Sequence, residues 1–354
     1  MRMAERKWLR FLLFLLVLSA WCKHVSASSG SEVPVLSEQN FIINEMPSMY
    51  TYEDLESDLE QLQSLCGDTI QINRLCNTAD NRGVYDVVLG DPAGTNQILI
   101  IGAMHAREYI TTQVVMRQLL EAIDAKNGYG EDYAGVPLRE LLSDVTIHFI
   151  PMNNPDGVTI SQKGIEGLRR KDLRTEAVSM LDDDAEQWKA NGVGVDLNRN
   201  FDAGWHEFVG APCPAMERYK GPFPGSEPEA AVLIRLTREA PIQRAITYHT
   251  CGALIYWYYM QEGEVLKASK AFAECISQET GYPLDDDYTA VDAAGYKDWA
   301  VYKMGVPTLT IEVGCEDGGE LVNPVPINQF SAIWERNKNV VYATALQMKK
   351  QDPM

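Results

Sequence analysis

Ile98-Leu99-Ile100-Ile101-Gly102-Ala103-Met104-His105-Ala106-Arg107-Glu108 opens on four apolar residues and closes on a histidine and a glutamate three positions apart. So short an apolar run, ended by a glycine, reads as a strand buried on both faces. Such strands belong to sheets covered by helices, and those sheets build their sites at the carboxyl ends of their strands. His105 and Glu108 fall at that end.

The pattern on either side agrees. Thr51 followed by Asp54 is a helix-capping signal, and Leu55, Leu59, Leu62 and Leu65 then share one helical face. Short apolar runs at 70–75 and 85–89 predict strands, 111–125 a helix and 145–150 another strand. Residues 151–225 are rich in Asn, Asp, Gly and Pro and read as a long functional loop region. Beyond it the expected order is helix 227–240, strands 245–249 and 254–259, helices 263–280 and 295–304, strand 307–313 and a C-terminal helix from about residue 327. Alternating strands and helices predict an α/β class, with helices on both faces of the sheet and no second domain.

The N-terminus reads differently. Arg2, Arg6, Lys7 and Arg10 precede an apolar stretch at 11–21, and Val25-Ser26-Ala27 is a small-residue cleavage site. Residues 1–27 are therefore expected to be a signal peptide, too short to span a bilayer stably. Residues 28–49, polar and carrying Pro34 and Pro47, read as a linker, and 50–350 as the catalytic domain. Residues 1–27 hold five basic residues and one acidic residue, so the rest carries 26 Lys+Arg against 49 Asp+Glu, a balance of −23. So acidic a chain argues against nucleic acid and anionic membranes as partners. Six cysteines remain beyond the signal: Cys66, Cys76, Cys213, Cys251, Cys275 and Cys315. Export permits disulfides, with Cys66 and Cys76 the nearest pair; the alternative is six free thiols.

A hydrolytic zinc site commonly takes three protein ligands and leaves one position open. Beyond the signal the histidines are His105, His148, His206 and His249. His249 ends the apolar strand 245–248. His148 alternates within its own strand and reads as structural, and His206 lies in the long loop. His105, Glu108 and His249 are the expected ligand set for one zinc ion.

Taken in order, His105-Ala106-Arg107-Glu108, Asn154-Pro155-Asp156-Gly157, Gly194-Val195-Asp196-Leu197-Asn198-Arg199-Asn200-Phe201, Tyr248-His249-Thr250 and Thr310-Ile311-Glu312 resemble the motifs of zinc carboxypeptidases of the carboxypeptidase A family. The resemblance covers roughly 50–350. It implies a single α/β domain with a twisted, mixed eight-stranded sheet. It implies Glu312 as the general base and Arg170, beside Arg169, as the oxyanion-stabilising arginine. Asn198 and Arg199 match the pair that grips a terminal carboxylate, Arg107 an arginine that assists substrate binding, and Asp196 the carboxylate that orients a ligand histidine. The family's mobile tyrosine corresponds to Tyr288, across a two-residue insertion, or to Tyr296. Cys213 stands where animal members have a disulfide cysteine, but its partner position near Val193 holds no cysteine.

Trp188-Lys189-Ala190-Asn191, Ser226-Glu227-Pro228-Glu229-Ala230 and Gly295-Tyr296-Lys297-Asp298-Trp299 are similar to a bacterial branch of γ-D-glutamyl-diaminopimelate peptidases. That likeness implies a secreted or cell-wall-associated peptidase acting on peptidoglycan peptides. Lys297 matches the position that sets leaving-residue specificity, where a cation would pair with a side-chain carboxylate. Two other readings compete: a general secreted carboxypeptidase removing C-terminal residues, acidic ones included, and a zinc- or peptidoglycan-binding protein without catalysis. A non-catalytic relative is expected to lack Glu312 or Arg170.

Overall fold

The computed structural model describes residues 33–286, 293–316 and 318–351. Its strands are β1 (Ile70–Asn77), β2 (Gly83–Leu89), β3 (Gln97–Ile101), β4 (Thr146–Ile150), β5 (Ile242–Thr250), β6 (Leu254–Tyr256), β7 (Leu284–Asp285) and β8 (Thr308–Val313). They form one eight-stranded sheet in the order β1-β2-β4-β3-β5-β8-β6-β7. The central strands β4, β3, β5 and β8 run parallel, while β1, β2 and β6 pair antiparallel with their inner neighbours. The longer helices are α1 (Tyr52–Cys66), α2 (Ile110–Lys126), α3 (Pro155–Lys163), α4 (Lys171–Met180), α5 (Pro228–Glu239), α6 (Gly263–Thr280), α7 (Phe330–Asn337) and α8 (Val340–Gln351).

Every residue of β3 is buried, as a strand covered on both faces must be. On one face Leu99, Ile101, Ile150 and Ala245 pack with Leu233 of α5 and with Trp299. On the other, Gln118 of α2 donates to the hydroxyl of buried Tyr248 at 2.7 Å. α1 begins where the capping signal places it: Asp54 N donates to the Thr51 hydroxyl at 3.2 Å, and Thr51 N to the Asp54 carboxylate at 2.8 Å.

Several expectations are corrected. From Val35 on, the stretch read as a linker is docked, with Leu36, Phe41 and Ile43 fully buried. Two helix carboxylates hold it by accepting backbone N–H groups that burial would otherwise strand. Asp124 of α2 takes Leu36 N and Ser37 N at 2.6 and 3.0 Å, and Asp58 of α1 takes Ile42 N and Ile43 N at 2.8 and 3.0 Å. The region 151–225 contains α3 and α4; Asn154 caps α3 by accepting Gly157 N at 3.0 Å, and Pro155 supplies its preset first position. β6 stops at Tyr256, and the C-terminal helix is broken into a turn at Ile327–Gln329 followed by α7 and α8. The six cysteines beyond the signal are free thiols. Cys66 ends α1 and Cys76 lies in β1, and the expected pairing of these two is not formed. Residues 1–27, read above as a signal peptide, lie outside the described residues. Among the described residues no helix is long and apolar enough to cross a membrane.

Glu229, in the first turn of α5, is fully buried, and burial together with Asp156 and Glu227 raises its pKa from 4.5 to about 8. Between those values the folded chain keeps a proton that the unfolded chain releases, so this residue lowers stability as pH rises through that window. Glu229→Gln is expected to raise the melting temperature at pH 8 by a few degrees, on the order of 1–3 kcal/mol, and to change it little at pH 4.5. Thermal melts of both proteins at the two pH values check this; an equal shift at both pH values would rule it out.

Candidate metal centre and catalytic cleft

After β3 the chain passes His105 in an extended conformation and makes a single 3-10 turn, Ala106–Glu108, before α2. That turn aims the side chains of His105 and Glu108 to one side. Asn153 N and Asn154 N donate to the carbonyls of Gly102 and Ala103, both at 3.0 Å, and the Asn154 amide donates to those of Met104 and Ala190 at 3.1 and 3.0 Å. Space there is tight: a Cβ on Gly102 would meet the Pro151 carbonyl oxygen at 2.6 Å. Asn154-Pro155-Asp156-Gly157 is therefore a brace for the His105 turn.

His249 arrives from β5, opposite Glu312 of β8 in the strand register. His105, Glu108 and His249 are 4%, 3% and 1% exposed. Nδ1 of His105 lies 2.8 Å from Glu108 Oε1, and Nδ1 of His249 2.8 Å from Glu108 Oε2. The two Nδ1 atoms are 3.1 Å apart. Burial alone would raise the Glu108 pKa, but the two imidazoles hold it well below the usual carboxylate range. Two ring nitrogens and a carboxylate aimed at one point, with ligand atoms all within 4.8 Å of one another, fit a small divalent cation. The donor set is the His₂Glu set of an open zinc site. Behind it Asp196 Oδ1 stands 3.2 Å from His105 Nε2, while Asp196 Oδ2 accepts Arg218 N at 3.2 Å. A carboxylate there fixes the ring so that Nδ1 faces the cation. Burial raises the Asp196 pKa, but His105, with Lys189 and Arg199, pulls it well below its ordinary value.

A cleft of about 390 Å³ opens from this point, lined among others by Lys189, Asn198, Arg199, Lys297 and Glu312. Glu312 keeps an opening to the cleft yet lies deep enough that burial raises its pKa to about 7, against the lowering effects of His249, Lys189 and Arg199. Asn198 accepts Tyr296 N at 3.0 Å, and the Arg199 guanidinium donates to the Asn198 carbonyl at 2.8 Å and lies over Phe208. The Lys297 ammonium donates to the Tyr258 carbonyl and pairs with Asp298 Oδ1, both at 2.7 Å.

Other expected residues lie elsewhere. Arg170 is exposed and pairs with Asp172, and its backbone N, like that of Arg169, donates to Asp80 at 2.8 and 2.7 Å respectively. The Arg170 guanidinium also donates to the Ala79 carbonyl at 3.2 Å and that of Arg169 to the Asn81 carbonyl at 3.2 Å, and neither residue lines the cleft. Beside Arg199 and Lys297, the cleft is lined by a third cation, Lys189, which sequence reasoning passed over; its signal was a lysine directly after buried Trp188, just ahead of Gly194–Phe201. Arg107 is held by the Gln187 carbonyl at 3.0 Å and by Glu217 at 3.3 Å, outside the cleft lining. Tyr288 lies outside the described residues. Tyr296 is fully buried with its hydroxyl 2.8 Å from that of Thr237, so it has no room to swing. His148 is structural as expected, 2.9 Å from Asp86 and 3.0 Å from Gln97, and His206 packs against Trp205.

Fold and ligand set together define a zinc metallopeptidase. Residues 55–340 match the zinc carboxypeptidase family, and the chain belongs to that family. It is 29% identical over 297 residues to gamma-D-glutamyl-L-diamino acid endopeptidase 1 of Lysinibacillus sphaericus, spanning 83% of this chain and 72% of that protein. It is 27% identical over 300 residues to carboxypeptidase B of Homo sapiens, spanning 80% and 67%. In fold it resembles bovine thrombin-activatable fibrinolysis inhibitor, with a TM-score of 0.68 at 18% identity over 87% of this chain and 100% of that one.

His105→Ala and His249→Ala are each expected to lose stoichiometric zinc, because two remaining ligands do not hold an open tetrahedral site. Metal content after dialysis against a weak chelator checks this. Either variant retaining a full equivalent would refute the ligand set.

Proposed function

We propose that the chain is an exported peptidase that cleaves γ-D-glutamyl–diaminopimelate bonds in peptides of peptidoglycan origin. The observation that carries the proposal is Lys297. It stands in the wall of the cleft with two of its N–H bonds used by Tyr258 and Asp298, and an ammonium has three to give. The third suits a carboxylate on the leaving residue, and diaminopimelate carries one at the far end of its side chain. The similarity to an endopeptidase named for γ-D-glutamyl-L-diamino acids supports the same substrate class. The basic and apolar residues at 1–27 support export, and the excess of acidic residues fits a substrate other than a polyanion.

In the reaction proposed, Asn198 and Arg199 hold the free carboxylate of the leaving residue and set the scissile bond in register. A zinc ion held by His105, Glu108 and His249 supplies Lewis acidity at the reacting centre. Glu312 takes the proton of the attacking water and returns it to the departing amine. Its place opposite His249 on the neighbouring strand, in the lining of the cleft, puts a carboxylate beside the reacting centre for both transfers. Lys189 faces the charge that develops on the carbonyl oxygen, the task expected of Arg170. A half-buried lysine meets that charge as a point donor where an arginine would offer a fork.

Glu312→Gln is expected to keep zinc and lose a factor of about 10²–10⁴ in kcat. Lys189→Ala should lower kcat by about 10²–10³, with Lys189→Arg recovering part and Arg170→Ala leaving it within about twofold. Steady-state kinetics with metal content measured alongside tests all four variants; a large loss in Arg170→Ala with none in Lys189→Ala would reverse the assignment. Substrate class is tested by offering L-Ala-γ-D-Glu-meso-diaminopimelate beside ordinary peptides and reading products by mass. Release of C-terminal residues from the ordinary peptides alone would establish a general carboxypeptidase instead.

A further inference from the structure

β3 and β5 stop pairing before either reaches a metal ligand: the last pair is Ile101 with Thr247. β5 keeps its register with β8 as far as Thr250 and Val313, and there the strand ends. The stretch Asn323-Pro324-Val325-Pro326 lies against that point. Its two prolines fix φ and stiffen the backbone. Val325 is buried and packs on Gly314, two residues past Glu312; a Cβ on that glycine would meet the valine side chain at 2.8 Å. Asn323 then makes two bonds to Thr250, the residue after His249. Its Nδ2 donates to the Thr250 carbonyl at 3.2 Å, and its Oδ1 accepts the Thr250 hydroxyl at 2.5 Å. The first bond fixes which end of the amide faces the hydroxyl, since only the nitrogen can donate. On its other side the Asn323 carbonyl accepts Gln187 Nε2 at 2.8 Å, and the Gln187 carbonyl accepts the Arg107 guanidinium at 3.0 Å. Arg107 stands between His105 and Glu108 in the 3-10 turn.

We propose that Asn323 is a positioning residue of the metal centre: with Gln187 it closes a hydrogen-bonded belt from Thr250 to Arg107 that ties the His249 strand to the His105–Glu108 turn outside the sheet. Thr250 and Arg107 are each adjacent in sequence to a ligand, so the belt acts on the spacing of the ligand set through its neighbours. Supporting bonds of this kind govern how long a metal is held and how well the reacting atoms are aligned. The inference does not depend on which peptide bond the protein cleaves.

The test uses the full, zinc-loaded chain and reads zinc transfer to a chelating dye alongside steady-state kinetics. Asn323→Ala opens the belt at Thr250, and Gln187→Ala opens it at the Asn323 carbonyl. Each is expected to release zinc about tenfold faster than the parent and to lower kcat about tenfold, with KM within about twofold. The double variant should be no worse than the more affected single one, because a belt already open has nothing further to lose. Thr250→Val, which removes the hydroxyl donor, should reproduce part of the Asn323→Ala loss, and Thr250→Ser, which keeps the donor, should recover it. Zinc release and kcat at the parent's values in Asn323→Ala, or losses that multiply in the double variant, would overturn the proposal. So would a lowered melting temperature with zinc release unchanged, the mark of a purely structural loop. Should Asn323→Ala fail to fold, Gln187→Ala and the two Thr250 variants decide by the same readings. Should the parent cleave none of the peptides offered, zinc release decides alone.

Discussion

One carboxylate, Glu108, faces two imidazoles at once, and the architecture of the cleft follows from that requirement. Its oxygens lie 2.8 Å from nitrogens delivered by strands that are far apart in sequence and adjacent in the sheet. The arrangement needs β3 to lead through the extended His105 into the single turn that ends at Glu108, and β5 to run parallel beside it. A slip of one residue in β5 would send His249 to the opposite face. The buried, apolar character of both strands guards against such a slip, because every alternative register moves apolar side chains out of the core.

The supporting residues are chosen by the same economy of buried polar groups. Asn154 both caps α3 and ties the His105 turn to Ala190, so one side chain orders the helix and the ligand-bearing loop together. Asp196 meets His105 with one oxygen and Arg218 N with the other. The Lys189 carbonyl accepts Ala106 N at 3.0 Å, which places the lysine's own backbone against the metal turn. Position in the cleft is thus set by main-chain bonds, and the charge type is left to the side chain.

Local pattern made much of this legible. The four-residue apolar run before His105, the cap at Thr51 and the isolated His249 at a strand end are each short-range signals, and each lies where it was expected. What stayed hidden depends on partners distant in sequence. Leu168-Arg169-Arg170 looks as good a source of a site cation as Trp188-Lys189, and what separates them is distant in sequence: Asp80 accepts the backbone N–H of both arginines from some ninety residues away, and the Arg169 side chain donates to the carbonyl of Asn81. The docking of residues 35–49 likewise depends on Asp58 and Asp124, acids whose spacing gives no hint of what they receive. The apolar Phe41-Ile42-Ile43 within that stretch was the available clue.

That docked segment bears on how the N-terminus tolerates trimming. The backbone bonds to Asp124 come from Leu36 and Ser37, and those to Asp58 from Ile42 and Ile43. Removal past Ser37 strips Asp124 of both backbone donors, at 2.6 and 3.0 Å, at a cost of about 1–3 kcal/mol. Loss of Ile42 and Ile43 would strip Asp58 of two backbone donors as well, so the cost of trimming rises in steps set by these two acids.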